Sequence, residues 1–190
     1  MLSIDTGNLA VLYYYAGRLD EAADCYERVL KQFDAAFTED TATLTTLLEN
    51  LANVYSRQEK YEKAIETNCR AIDLRKRSIG DDSFTLAVML RNQATYYSHL
   101  EQYEDAFRCI DESRSMHASI AKDSPYIADC DALQGIVLLR MGRREEGIAL
   151  LQAAVPILRE KLGDVHPCTS SAMKELREAI SPTEAPTTEV

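Results

Sequence analysis

An all-α repeat array is the fold that this 190-residue sequence predicts, and three observations predict it. Asn8, Asn50 and Asn92 stand 42 residues apart at the heads of NLAVLYYYAGRLDEA, NLANVYSRQEKYEKA and NQATYYSHLEQYEDA, and a weaker copy, LQGIVLLRMGRREEG, follows. Inside each copy small residues occur in pairs twelve apart: Ala10 and Ala22, Ala52 and Ala64, Ala94 and Ala106, Gly135 and Gly147. Apolar residues recur at helical spacing, as in Ile148, Leu151, Val155, Leu158 and Leu162, and no alternating run is long enough for a strand. A period of this size marks one supersecondary unit per copy, unable to bury its apolar face alone, so that stacked copies share a core.

The elements follow in order. In each copy a first helix carries one small residue and a return helix the other, at the point where the two cross closely. Tyr13, Tyr55, Tyr97 and Leu138 fall three residues after the first small residue, along the same helix. Leu19, Tyr61 and Tyr103 open the return helices, three residues before the second small one. The repeats occupy approximately 1–38, 39–80, 81–122 and 123–163. In the fourth, Arg144 replaces the tyrosine, glycines replace the alanines, and Pro156 falls inside the return helix, which predicts a kink near Val155. Residues 164–180 form one further helix; Arg177 stands where a new repeat places its small residue, so this helix reads as a cap on the last apolar face. Ser181-Pro182 ends it, and 181–190 is a disordered tail. Nine helices and no sheet are expected.

A single long coiled coil competes, because 42 is a multiple of seven. Gly17, Gly80, Pro125, Gly142, Gly163 and Pro167 break the pattern at recurring junctions, whereas a coiled coil carries its apolar seam straight through.

These residues together resemble the tetratricopeptide repeat, in the 42-residue form of kinesin light chains and nephrocystin-like proteins, over roughly Ile4 to Ala179. The connectors Ile79 to Thr85 and Leu162 to Thr169 are similar to that family's LG-D-HP-T linker, while Phe37 to Thr41 and Ala121 to Tyr126 are degraded versions. The resemblance implies a right-handed α-solenoid of four helix-turn-helix tetratricopeptide-like repeats plus a C-terminal capping helix. It also implies a concave groove, lined by the first helix of every copy, that holds an extended peptide. Carried onto this sequence, that face takes Asn8, Val11, Tyr14 and Tyr15 from the first copy and Glu49, Asn50, Asn53, Ser56 and Arg57 from the second. The third supplies Val88, Arg91, Asn92, Thr95, Ser98 and His99, and the fourth Asp129, Ile136, Leu139 and Arg140.

Arg57, Arg91 and Arg140 then oppose only Glu49 and Asp129, so the groove is mildly positive and suits an acidic or carboxylate-bearing peptide. Tyr14 and Tyr15 suit an apolar or aromatic side chain beside it. Asn8, Asn50 and Asn92 either meet a peptide backbone with both donor and acceptor or bridge adjacent helices. Members that clamp chaperone tails carry basic residues where this chain has Glu49, Asp129 and Leu133, which argues against that ligand.

Composition bounds the function. With 46% hydrophobic residues and seven glycines the chain can bury a substantial core. A formal charge of −10 disfavours nucleic acid. No stretch approaches a membrane span, and Asp5 with no basic run does not make a secretory leader. Five cysteines without metal-ligand spacing, with Cys25, Cys69 and Cys109 as small buried residues of return helices, point to a reducing compartment, the cytoplasm or the nucleus.

No catalytic constellation is present. His99, His117 and His166 lie in different copies without a nucleophile or metal-site pairing and read as surface or linker histidines, His166-Pro167 setting the next helix. Charged pairs such as Glu59 with Lys63 are solvated faces, and Arg75, Lys76 and Arg77 satisfy a helix end. No enzyme activity, cofactor or metal is expected. Only nine residues precede Ala10, which predicts either a fragment of a longer chain or a front end covered by a partner, with homo-oligomer contact through that uncapped end. The function read from the sequence is a non-catalytic scaffold for a peptide segment of another protein. The alternative is a structural module that self-associates or docks through its ends or outer face.

Overall fold

The computed structural model describes residues 2–36, 41–77 and 83–181, with the backbone alone at 2–5 and 34–36. Within these residues nine α-helices and no strand are formed: α1 Leu2–Tyr15, α2 Leu19–Ala36, α3 Thr41–Arg57, α4 Tyr61–Arg77, α5 Ser83–His99, α6 Tyr103–Ile120, α7 Pro125–Arg140, α8 Arg144–Leu162 and α9 Pro167–Ile180. The connectors at 37–40 and 78–82 and the tail at 182–190 lie outside the described residues, and with them most of two predicted linkers and the predicted disorder. The chain divides into two compact units, Met1–Met116 and His117–Val190, and the division falls inside α6.

One turn closes the helix pairs, and it recurs. After α1, Gly17 N–H donates to the Tyr14 carbonyl at 3.1 Å and Arg18 N–H to the Tyr13 carbonyl at 2.9 Å. The same two bonds run from Glu59 and Lys60 after α3, from Glu101 and Gln102 after α5, and from Gly142 and Arg143 after α7. This is the Schellman closure, which satisfies the last carbonyls of a helix through one residue in the left-handed region. Gly17 and Gly142 adopt it at φ 75° and 78°, and Glu59 and Glu101 at 60° and 58°. A side chain in that region meets its own backbone, so the two glutamates carry strain that the two glycines avoid.

The small residues twelve apart sit where the helices pack. Ala10, Ala22, Ala52, Ala64, Ala94 and Ala106 are all completely buried. In the fourth copy the approach is closer still: a Cβ on Gly135 would stand 2.9 Å from the Gly147 carbonyl oxygen, and one on Gly147 would stand 2.7 Å from the Gly135 oxygen. Glycine there permits backbone contact between α7 and α8 that alanine would block.

In the first unit one core runs through α1 to α5, from Tyr26, Val29 and Leu30 through Leu47, Leu48, Leu51 and Val54 to Ala71, Ile72, Met89 and Tyr96. Burial of each such side chain stabilises by about 1.5–3 kcal/mol against leaving it in water. Polar side chains fix the registers. Asn68 of α4 donates to the Gln93 side-chain oxygen at 2.6 Å and to the Met89 carbonyl at 3.1 Å, both in α5. Ser113 of α6 donates to the Ala87 carbonyl at 2.7 Å.

In the second unit α7, α8 and α9 enclose Ala128, Ala132, Ile136, Leu151, Ala154, Val155, Leu158 and Ala172. The predicted cap is therefore a helix that packs on α8 and α7. Its entry follows the linker residues: the His166 ring accepts from the Cys168 N–H at 3.3 Å, Pro167 opens the helix, and buried Thr169 donates to the Leu158 carbonyl at 3.3 Å. Arg159 pairs with Asp164 at 2.7 Å across the same bend. Pro156 does not end α8, which continues to Leu162. Pro156 and Gln152, whose carbonyl loses its usual donor, are both exposed, so water can serve that carbonyl.

Two stability changes follow from the turns and the crossing. Glu59→Gly and Glu101→Gly should each raise the unfolding free energy from urea titration, by up to about 1 kcal/mol after the greater freedom of glycine in the unfolded chain is discounted. Gly135→Ala should lower that free energy by about 1–3 kcal/mol through overpacking, and an unchanged value would show that α7 and α8 can separate freely.

Candidate functional site

The turns return α2 and α4 so that α1 and α3 lie beside each other, with α2 packed on α3. Between them Val11, Tyr14, Tyr15, Tyr26, Asn50 and Asn53 line a cleft of about 190 Å³. Tyr14 and Tyr15 meet edge to face at 5.5 Å, and Tyr15 is largely exposed. The Arg57 guanidinium lies 4.6 Å above the Tyr14 ring and donates to the Tyr14 carbonyl at 3.0 Å, which ties the end of α3 to the end of α1. One arginine thus meets an aromatic face and a helix C-terminus together, both favourable to a cation.

The polar wall of the cleft is braced from behind. Asn50 bonds to the buried Tyr26 hydroxyl, whose pKa is pushed up to about 12 by burial first and by the neighbouring Tyr14 and Tyr15, with Asn50 opposing. Asn53 accepts from the Tyr96 hydroxyl of α5 at 3.0 Å. Burial holds Tyr96 well above its ordinary range, with Arg91 opposing and Glu49 reinforcing. On another side of α3, Tyr55 donates to Glu27 of α2 at 2.7 Å, and burial and then that carboxylate raise its pKa.

Of the residues expected on this face, Tyr14, Tyr15, Asn50, Asn53 and Arg57 are brought together. Asn50 and Asn53 each bridge to another helix while lining the cleft. Asn8 is exposed on α1, and Asn92 and Arg91 are half-buried on α5, Arg91 reaching the Thr95 hydroxyl at 3.5 Å. His99 instead stacks on Tyr61 at the head of α4, with centroids 4.2 Å apart and planes within 12°. Arg140 is exposed at the end of α7, in the second unit. Asp129, Ile136 and Ser98 are buried, so none of them lies on an open face as the resemblance had implied. Tyr26 and Tyr96 were not foreseen; each occupies a helical position that apolar residues hold in other copies, Ile110 and Val54 among them, and only the hydroxyl distinguishes their role.

Two further expectations are corrected. Cys69, predicted buried, is exposed, and accepts from the Gln93 amide at 3.0 Å; Cys25 and Cys130 are buried, and none of the five cysteines forms a disulfide. His117, predicted at the surface, is 2% exposed and stacks on Tyr126 at 5.1 Å. Among the described residues no cluster of His, Cys, Asp and Glu could hold a metal ion, and no helix is long and apolar enough to cross a membrane.

Sequence models of the tetratricopeptide repeat match residues 1–77 and 43–119, and a second model of the same repeat matches 135–167. The chain belongs to the tetratricopeptide repeat family. That family membership makes it a protein–protein interaction scaffold. No curated protein sequence matches it. Among solved structures it is similar to the nearly identical repeats of a putative kinesin light chain of Podosopora anserina, at 18% identity and a TM-score of 0.67, covering 92% of this chain and 83% of that one. BtubC (BKLC) from P. vanneervenii aligns at 19% identity and a TM-score of 0.70, over 90% of this chain and 68% of the other. The APC/C hetero-tetramer Cut9–Hcn1 aligns at 17% and 0.64, over 94% of this chain and 30% of that one. Identities this low carry the fold alone.

Burial of His117 favours its neutral form and pulls its pKa below the usual value, with Asp129 opposing. The unfolded chain therefore takes up this proton first as the pH falls, so the contribution is whole above about pH 6.5 and is lost as the pH drops through the folded pKa. His117→Phe should show a smaller drop in melting temperature between about pH 7.5 and about pH 5.5 than the wild type; equal drops would mean that the ring is protonated in place.

Proposed function

We propose that this chain is a non-catalytic scaffold that holds an extended peptide segment of a partner protein against the first-helix face of its first unit. The segment presents an aromatic or apolar side chain to the tyrosine-lined cleft and a carboxylate to Arg57. The observation that supports this reading is the position of Arg57: it caps α1 with one nitrogen and is otherwise exposed at the mouth of the cleft, where a planar guanidinium can meet a carboxylate with its remaining donors. Asn50 and Asn53, held in place by Tyr26 and Tyr96, offer amides to a peptide backbone at little entropic cost. Asn8 on α1 and Arg91 and Asn92 on α5 extend the proposed surface. Arg140 holds in α7 the repeat position that Arg57 holds in α3, and His99 holds it in α5, where its stacking on Tyr61 makes it a brace for the turn.

The mode of binding is similar to kinesin-light-chain cargo recognition, with a putative kinesin light chain among the structural neighbours. The Cut9–Hcn1 hetero-tetramer adds a neighbour that works within a protein assembly. A reducing, cytoplasmic setting accords with five cysteines and no disulfide.

Selection from a displayed random peptide library, followed by fluorescence anisotropy with the enriched peptide, tests the reading. Enriched peptides should pair an aromatic residue with Asp, Glu or a free C-terminus, and affinity should fall with added salt. Arg57→Glu with Arg91→Glu should weaken binding at least tenfold while the mass by light scattering stays constant. Neutral peptides that bind wild type and double variant alike would remove the carboxylate from the proposal.

A further inference from the structure

Ser181 leaves α9 in extended backbone, at φ −61° and ψ 137°, and the next residue in the chain is Pro182. A proline disfavours the helical region for the residue before it, so the helix stops with Ser181 exposed outside the rod. Ser-Pro occurs once more, at Ser124-Pro125, in a different setting. Ser124 is half-buried; its N–H donates to the Ala121 carbonyl and its carbonyl accepts from the Ile127 N–H, both at 3.1 Å, and Pro125 opens a helix packed on α8 and α9. The last turn of α9 is looser, with Arg177, Glu178 and Ile180 all exposed.

A cation stands beside Ser181. Arg144 of α8 donates to the Ser181 carbonyl at 3.2 Å. Arg144 occupies the position that Leu19, Tyr61 and Tyr103 hold in the other three copies, at the head of a return helix, where the dipole disfavours positive charge and the first turn is otherwise acidic with Glu145 and Glu146. What this arginine reaches is the C-terminal end of α9, and one bond there leaves most of its five N–H donors open.

We propose that Ser181 is a phosphorylation site whose phosphate is received by Arg144. In the active site of a proline-directed protein kinase the Ser181 Oγ attacks the γ-phosphorus of ATP. Its proton passes to the kinase's base, the new O–P bond forms, and the bond to the departing ADP breaks. The hydroxyl's bond to the Arg177 carbonyl, at 2.8 Å, goes with the proton, while the N–H bond to the same carbonyl at 3.1 Å stays and keeps the helix end closed. A phosphate on Oγ lies within reach of the Arg144 fork, which pairs with it through charge-assisted hydrogen bonds and ties the end of α9 to the start of α8. The α9 dipole and Glu178 oppose the new charge; Glu178 already faces Lys174 at 3.9 Å.

The whole chain is incubated with a purified proline-directed serine/threonine kinase and magnesium ATP, and fragment mass spectra locate the phosphate. Incorporation at Ser181 is expected at least tenfold above that at Ser124. Phosphorus NMR then reads the contact. The phosphoserine, whose second pKa is ordinarily about 6, should titrate lower by roughly half a unit in the wild type and return in Arg144→Ala, which removes only an exposed side chain. No phosphate at Ser181, or as much at Ser124, overturns the modification site; equal titration in wild type and Arg144→Ala overturns the part given to Arg144.

Discussion

Close crossing of paired helices at small residues is the constraint on which the rest of the structure depends. Ala10 against α2, Ala52 against α4 and Gly135 against Gly147 let two rods approach until the residues around the crossing interlock, and the distance between those rods fixes where every neighbouring side chain ends. Tyr55 can reach Glu27, and Tyr96 can reach Asn53, because the pairs stand close enough for one phenol to span the gap. The Schellman turns serve the same constraint from the helix ends, since a three-residue reversal leaves the return helix little choice of register.

Much of this was legible in the sequence because small size and helix punctuation are local properties. The twelve-residue pairs of Ala and Gly, the glycines at 17 and 142, and the His166-Pro167 entry to α9 each state a geometry that a single residue type satisfies. What was not legible depends on pairs of residues that meet only after folding. Asn68 and Gln93 are polar residues at positions that Tyr26 and Leu51 hold in an earlier copy, and neither can be interpreted until it is known that they face each other. His117 looked like a surface histidine because no sequence pattern announces a ring that stacks on Tyr126 nine residues later. Cys69 was placed in the core by residue type, and the helix rotation that exposes it was invisible at that level.

The cleft illustrates the same division. The first-helix face was named from family resemblance, and the residues that cluster there are those of α1 and α3, where Arg57 and the two asparagines are held by partners behind them. Their support comes from Tyr26 and Tyr96, whose hydroxyl groups have little to distinguish them in a sequence full of tyrosines. Rigid amides beside an exposed ring are what an extended segment requires of a binding wall, because the protein side then loses little freedom on association.

The amide pair between α4 and α5 has an evolutionary consequence. In an array of similar modules, deletion or duplication by recombination is a standing hazard, since any joint resembles any other. A chain in which α2 came to rest on α5 would set Tyr26 against Gln93 and strand that amide in a dry joint; one in which a second copy of α3 followed α4 would bury Asn68 against Leu51. This joint accepts its own neighbours and penalises shuffled ones, so the order of the modules is guarded by two polar side chains in an otherwise oily seam.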